Sequence, residues 1–152
     1  MSAMPPWRET ALRLLPELAE PIGEAENPYQ LWFGLWDAFR AAYGPPRDDG
    51  LIRRVYEYAQ WCEQAPRGET ATDDLFTTVV VCFFEEIPTD AQARADMPRW
   101  FTYEEVRDAR EVFSYMAGAA VYEELLRHMA ASRGRYQPWR GKRKGGIGAE
   151  ER

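Results

Sequence analysis

Reactive side chains are scarce in this sequence. It holds two cysteines, Cys62 and Cys82, and one histidine, His128, too few for a four-ligand zinc site of the Cys/His type. A di-iron site asks for Glu-x-x-His pairs on facing helices, and one histidine cannot supply them. The serines are Ser2, Ser114 and Ser132, and no Gly-x-Ser-x-Gly elbow surrounds any of them. Phosphate-cradling loops of the Gly-x-x-x-x-Gly-Lys-Ser/Thr and Gly-x-Gly-x-x-Gly types are missing as well. The expectation is no catalytic residue, no metal and no cofactor, in a chain more readily read as non-enzymatic.

Long apolar runs are also missing. The longest, Leu75 to Phe84, is interrupted by Thr77 and Thr78 and falls far short of the ~20 residues of a membrane span. Residues 1–7 contain two prolines and no basic side chain, and Arg8 and Arg13 follow, so the apolar core of an export signal does not form. The expected location is the cytoplasm, with no membrane partner. Lysine is absent before Lys142.

What is present is a globular composition, 45% apolar and 14% aromatic, enough for a core without metal or disulfide staples. Charge is unevenly placed. Residues 1–132 carry 12 arginines against 23 acids, a formal charge of −11, and residues 133–152 carry 7 basic and 2 acidic side chains, a charge of +5. The charge and composition break near residue 132 predicts one helical domain over 1–132 and a flexible, disordered basic tail over 133–152.

The periodicity is helical almost throughout and predicts an all-α fold, a compact bundle of five to six helices. Trp7, Ala11, Leu14, Leu15, Leu18 and Ile22 lie on one helical stripe, which Pro16 breaks, so the first helix is read as kinked or in two pieces and ending before Pro21. A second starts at Pro28, presents Trp32, Phe33, Trp36, Phe39 and Tyr43, and stops at Gly44-Pro45-Pro46. A third spans about 48–63 with Leu51, Ile52, Val55, Ala59 and Cys62 inward. The fourth, about 70–87, is the central apolar helix: Thr70 and Asp73 have capping-box spacing, and Leu75, Phe76, Val79, Val80, Phe83, Phe84 and Ile87 form its stripe. The run Thr77–Val81 also has strand propensity, the alternative there. A short helix over 89–95 with a Thr89/Gln92 box, the connector 97–101, a helix opened by a Thr102/Glu105 box through Met116, and a last one through Met129 complete the plan.

Several groups invite a chemical reading. In a helical hairpin about Pro66–Glu69, Cys82 lies roughly 10 Å beyond the level of Cys62 at 1.5 Å per residue, past disulfide reach, so both are expected to be buried thiols. The adjacent pairs Asp73-Asp74, Glu85-Glu86, Glu104-Glu105 and Glu123-Glu124 do not face one another on a helix and read as solvated. Two loops stand out as protein-binding candidates: Trp61, Arg67 and Glu69 in one, Arg99 and Trp100 in the other, since Arg and Trp dominate interface energetics. The competing reading is that Trp61 and Trp100 cap the core while Arg67 and Arg99 pair with local acids. Arg133, Arg135, Arg140, Lys142, Arg143 and Lys144, interleaved with Tyr136 and Trp139, are polyanion-binding candidates. The same tail has the charge to dock on its own acidic body.

The stretch from Leu51 to about Met116, with Arg53-Arg54-Val55-Tyr56-Glu57-Tyr58-Ala59-Gln60-Trp61-Cys62, Pro66-Arg67-Gly68, Phe83-Phe84-Glu85-Glu86-Ile87-Pro88 and Met97-Pro98-Arg99-Trp100-Phe101, resembles an uncharacterised bacterial domain family. The resemblance implies a small bacterial cytosolic protein and no particular activity. The expectation is then a non-enzymatic protein-interaction module, immunity- or antitoxin-like, meeting another protein of basic character. The alternatives are an RNA- or polyanion-associated protein acting through the tail, nucleic acid entering only there, and a small-molecule binder or enzyme with a pocket lined by Trp32, Trp36, Tyr58 or Trp61.

Overall fold

The computed structural model describes residues 3–137 and 139. Among them every regular element is helical, so the chain is all-α and Thr77–Val81 is helix rather than strand. The contacts divide the chain after Phe83 into two compact units, a finer division than the single domain the helical pattern implies. No helix among the described residues is long and apolar enough to cross a membrane.

The first unit opens with α1 (Pro6–Leu14). It stops there because Pro16 bars Leu15 from the helical region, and Leu15 takes φ −132°, ψ 59°. A 3-10 turn over Pro16–Leu18 leads into α2 (Ala19–Glu24). The helix passes through Pro21, contrary to the expected stop, because Pro21 falls in its first turn, where the missing N–H has no intrahelical partner to lose. α3 (Pro28–Ala41) begins as expected: Pro28 follows an Asn27 cap whose side chain accepts from Gln30 N at 2.9 Å. Its buried face is Leu31, Trp32, Leu35 and Phe39. Phe33 lies off that face and is 62% exposed, because 100° per residue carries it around the helix from Trp32 and Trp36.

α4 (Asp49–Gln64) is capped by Asp48 and buries the expected stripe, widened by Tyr56 and Tyr58. Two of its side chains satisfy backbone carbonyls of the α1 segment. The Tyr58 hydroxyl donates to Trp7 O at 3.0 Å, and Arg54 donates to Leu14 O at 3.1 Å while gripping Glu17 with both amino groups.

α5 (Leu75–Val79) starts later than the Thr70/Asp73 spacing implies. The Asp73 amide reaches Thr70 Oγ1 only at 3.4 Å, while the Asp73 carboxylate folds back on the Thr70 amide at 2.9 Å. That pair closes a turn, and Asp74 caps the helix. A π-helical turn, Val80–Phe84, continues it. Phe76, Val79, Val80, Phe83 and Ile87 are buried as expected, whereas Val81 is 41% exposed. The ring of Phe83 stacks on Trp32 at 4.9 Å and meets Phe39 edge-on at 5.0 Å and Tyr56 at 5.3 Å.

In the second unit, a 3-10 turn over Ile87–Thr89 precedes α6 (Ala91–Ala95). Asp90, not Thr89, is the cap: its carboxylate accepts from Ala93 N at 2.9 Å, and the Thr89 hydroxyl is turned back to Glu86 O at 2.6 Å. A 3-10 turn over Met97–Arg99 leads to α7 (Tyr103–Asp108), opened by the expected Thr102/Glu105 capping box. The helix expected through Met116 is broken at Ala109 (φ −108°, ψ 42°) into α7 and α8 (Arg110–Tyr115). Gly118, at φ 92°, a value L side chains rarely adopt, starts α9 (Ala119–Ala131). The Tyr122 hydroxyl donates to Val106 O at 2.8 Å, satisfying a carbonyl that the end of α7 leaves without a helical donor.

Truncating Phe83→Ala is expected to lower stability by about 3–5 kcal/mol, read as an earlier midpoint in denaturant or heat. A melt superimposable on the parent's would mean that Phe83 does not hold this core.

Candidate protein-binding surfaces

The loop between α4 and α5 is organised by one carboxylate. Asp74 is buried, and its oxygens accept from Arg67 Nε at 2.9 Å, Arg67 Nη2 at 2.9 Å and Gly68 N at 2.8 Å, with Thr77 supplying its amide at 3.3 Å and its hydroxyl. Gly68 is required by space: a Cβ there would meet Asp73 O at 2.4 Å. Burial works to raise the Asp74 carboxyl. The Arg67, Thr77 and Gly68 donors outweigh it and hold the group well below the usual carboxylate range. Arg67 also lies over the Phe76 ring at 4.8 Å. Of the three candidates in this loop, Arg67 is thus committed to Asp74, Trp61 is half-buried and stacked on Tyr58 at 5.8 Å, and Glu69 is exposed.

The connector before α7 repeats the arrangement. Asp96 is buried and accepts from Trp100 Nε1 at 2.9 Å and Arg99 Nη1 at 3.2 Å. The Arg99 guanidinium lies 5.0 Å over the Trp100 ring. Trp100, a protein-binding candidate with core capping as the competing reading, is only 3% exposed: its indole N–H needs a partner, and Asp96 four residues back supplies one inside. The structure therefore brings Arg99 and Trp100 together, but as a local tie.

A guanidinium that pairs with an acid and covers an aromatic ring recurs along the chain. Arg40 joins Asp37 and Trp36, Arg47 joins Asp49 and Tyr43, Arg107 joins Asp108 and Tyr103, and Arg110 joins Glu123 and Tyr122. Arginine suits this because its planar fork serves both contacts, which an ammonium cannot.

The basic tail enters the pattern too. Arg133 donates to Glu104 Oε2 at 3.1 Å and lies over the Tyr103 ring at 3.9 Å. Trp139 meets Trp100 edge-on, with centroids 5.1 Å apart and planes at 78°. Gly134, at φ 81°, and an Arg135 N to Ser132 O bond of 3.1 Å carry the chain out of α9. Two side chains beyond residue 132 thus find partners on the second unit. Each contact is modest, about 0.5–1.5 kcal/mol for the aromatic pair and about 0–1 for an exposed ion pair. As a polyanion candidate Arg133 is already engaged, and Arg135 is exposed. Arg140, Lys142, Arg143 and Lys144 lie outside the described residues.

The remaining chemistry is quiet. Cys62 and Cys82 are buried free thiols. Burial pushes the Cys62 thiol well above its ordinary range, opposed in part by hydrogen bonding from Tyr58 and Trp32, so it stays protonated and a poor nucleophile. Trp32 and Tyr58 are both buried, with ring centroids 5.5 Å apart and planes tilted by 43°. His128 Nε2 sits 2.8 Å from Ala95 O; a carbonyl only accepts, so that nitrogen carries the proton. Among the described residues no group of three or more His, Cys, Asp or Glu is placed to hold a metal ion.

Asp96 and Tyr103 carry no sequence signal noted above; of the acids read as solvated, Glu104 is exposed but Asp74 is buried, because Arg67, Gly68 and Thr77 supply the donors that water would. Asp96 could have been found from its spacing to Arg99 and Trp100, three and four residues on, which shares one helical face. The Arg133–Glu104 pair has no such local signal. Comparison with family models, with curated proteins and with solved structures finds no match.

Asp74→Asn keeps the shape and removes the anion. Its expected cost near neutral pH is about 1–3 kcal/mol. A carboxyl held low in the folded state contributes fully only above its unfolded value, near 4, and loses that contribution as pH falls toward the folded value. The difference between parent and variant should therefore shrink below about pH 4. A penalty that stays constant down to pH 2 would exclude the anion as its source.

Proposed function

We propose that the protein is a non-enzymatic protein-interaction module, immunity- or antitoxin-like, whose acidic surface receives a basic partner protein. One observation carries this reading. At least seven of the 12 arginines before residue 133 are spent in ion pairs with their own acids, at positions 40, 47, 54, 67, 99, 107 and 110. Each consumes one carboxylate, and the surplus remains on the surface at Glu20, Glu24, Glu26, Glu69, Glu111 and Glu124, all exposed. A surface with acids in excess steers a cationic partner and accelerates its encounter.

The resemblance over residues 51–116 to an uncharacterised bacterial domain family agrees with a small cytosolic module. The basic tail supports a second reading, polyanion binding, through its charge of +5.

The test is affinity capture from the native host with the full chain, washed at low and at moderate salt. The expected outcome is one stoichiometric basic protein, whose association with the purified chain slows about tenfold or more between about 50 and 300 mM salt. Absence of any stoichiometric protein in both washes would sink the reading. Material removed by nuclease treatment instead would favour the tail and a polyanion.

A further inference from the structure

We propose that residues 133–139 act as an intramolecular pseudo-ligand for the face of the second unit formed by Trp100, Tyr103 and Glu104. They thereby define the partner that this face accepts: a basic protein segment presenting an arginine and a tryptophan six residues apart. The proposal rests on the reading of the chain as a protein-interaction module and assigns that module's binding face.

The contacts are those of an interface. Arg133 lies 3.9 Å over Tyr103 and donates to Glu104, and Trp139 meets the Trp100 ring at 5.1 Å. Arg and Trp are the residue types that carry most binding energy between proteins. The receiving side is preorganised: Asp96 fixes the Trp100 indole at 2.9 Å, and the capping box of α7, with Thr102 and Glu105 bonded at 2.9 and 3.0 Å, fixes the turn that bears Tyr103 and Glu104. The occupant has no such build. The side chains of its ion pair are 55% and 52% exposed.

In the units at Arg40, Arg47, Arg67, Arg99, Arg107 and Arg110 the acid named above lies within 13 residues, whereas Arg133 reaches 29 residues back. Here the ring and acid stand on one segment and the guanidinium on another. A tethered segment acts at an effective concentration in the millimolar range, so weak contacts hold it and a tighter partner displaces it.

The test uses the isotope-labelled full chain and an unlabelled peptide of residues 133–139, read at the Trp100 indole N–H resonance. Trp139→Ala should move that resonance, and the peptide should move it back. The parent chain should need about tenfold more peptide, because its own tail competes. Glu104→Arg should abolish the peptide effect, and the charge swap Glu104→Arg with Arg133→Glu should restore docking. A Trp100 resonance indifferent to Trp139→Ala, or peptide acting equally on parent and variant, overturns the proposal.

The partner captured from the host separates the two claims. Stronger capture by Trp139→Ala than by the parent supports the pseudo-ligand. Equal capture by both overturns it while leaving the proposed function standing. No capture by either, with the peptide result intact, overturns the proposed function and leaves the tail contact in place.

Discussion

Aromatic rings from two helices close on the ring of Phe83, and the first unit is built on that convergence. Trp32, Trp36 and Phe39 come from α3 and Tyr56 from α4, at centroid separations of 4.9–6.3 Å. One contact is stacked and the others are tilted or edge-on, geometries in which ring quadrupoles attract. Val79-Val80 and Phe83-Phe84 stand at i,i+4 spacing and are buried together, while Val81 is left outward.

The polar parts of both units obey a second constraint. A carboxylate taken out of water must be met by donors or it is strongly unfavourable. Asp74 and Asp96 are each met by an arginine and by further donors, backbone amides and a hydroxyl for Asp74, an indole for Asp96. The same guanidinium then covers a neighbouring ring. Six of the 12 arginines in the first 132 residues are shown in this double duty, at positions 40, 47, 67, 99, 107 and 110. Each arginine so used has its charge matched by a neighbouring acid, and the acids left over give the body its negative field.

Much of the fold was legible because helices announce themselves locally. The Asn27-Pro28 start, the Thr102/Glu105 box and the stripe of α4 stand in the structure as the sequence pattern implies. The errors share a cause. Thr70, Thr89 and Pro21 were judged by spacing alone, and in each case a neighbouring group decided: Asp74 and Asp90 are the caps, and Pro21 falls where a helix tolerates it. The breaks at Ala109 and within Val80–Phe84 depend on tertiary packing and leave no compositional mark. For the candidate surfaces, the alternative weighed for Arg67, Arg99 and Trp100, pairing with local acids and capping the core, describes their geometry. Nothing in the sequence ties Arg133 to Glu104, because the pair is made by the return of α9 past α7 and not by spacing.

That return gives the tail its meaning. Glu104 is exposed, so it does not need Arg133 as a buried carboxylate needs its arginine. The tail contact is therefore neither a core interaction nor an incidental charge pairing. It reproduces, across 29 residues, the guanidinium–acid–ring unit that the body builds locally at positions 40, 47, 67, 99, 107 and 110. A unit that works with an acid and a ring from one segment and an arginine from a distant one does not depend on covalent continuity. An arginine supplied by another protein can make the same three-part contact on Tyr103 and Glu104, and a tryptophan beside it can take the place of Trp139 on Trp100.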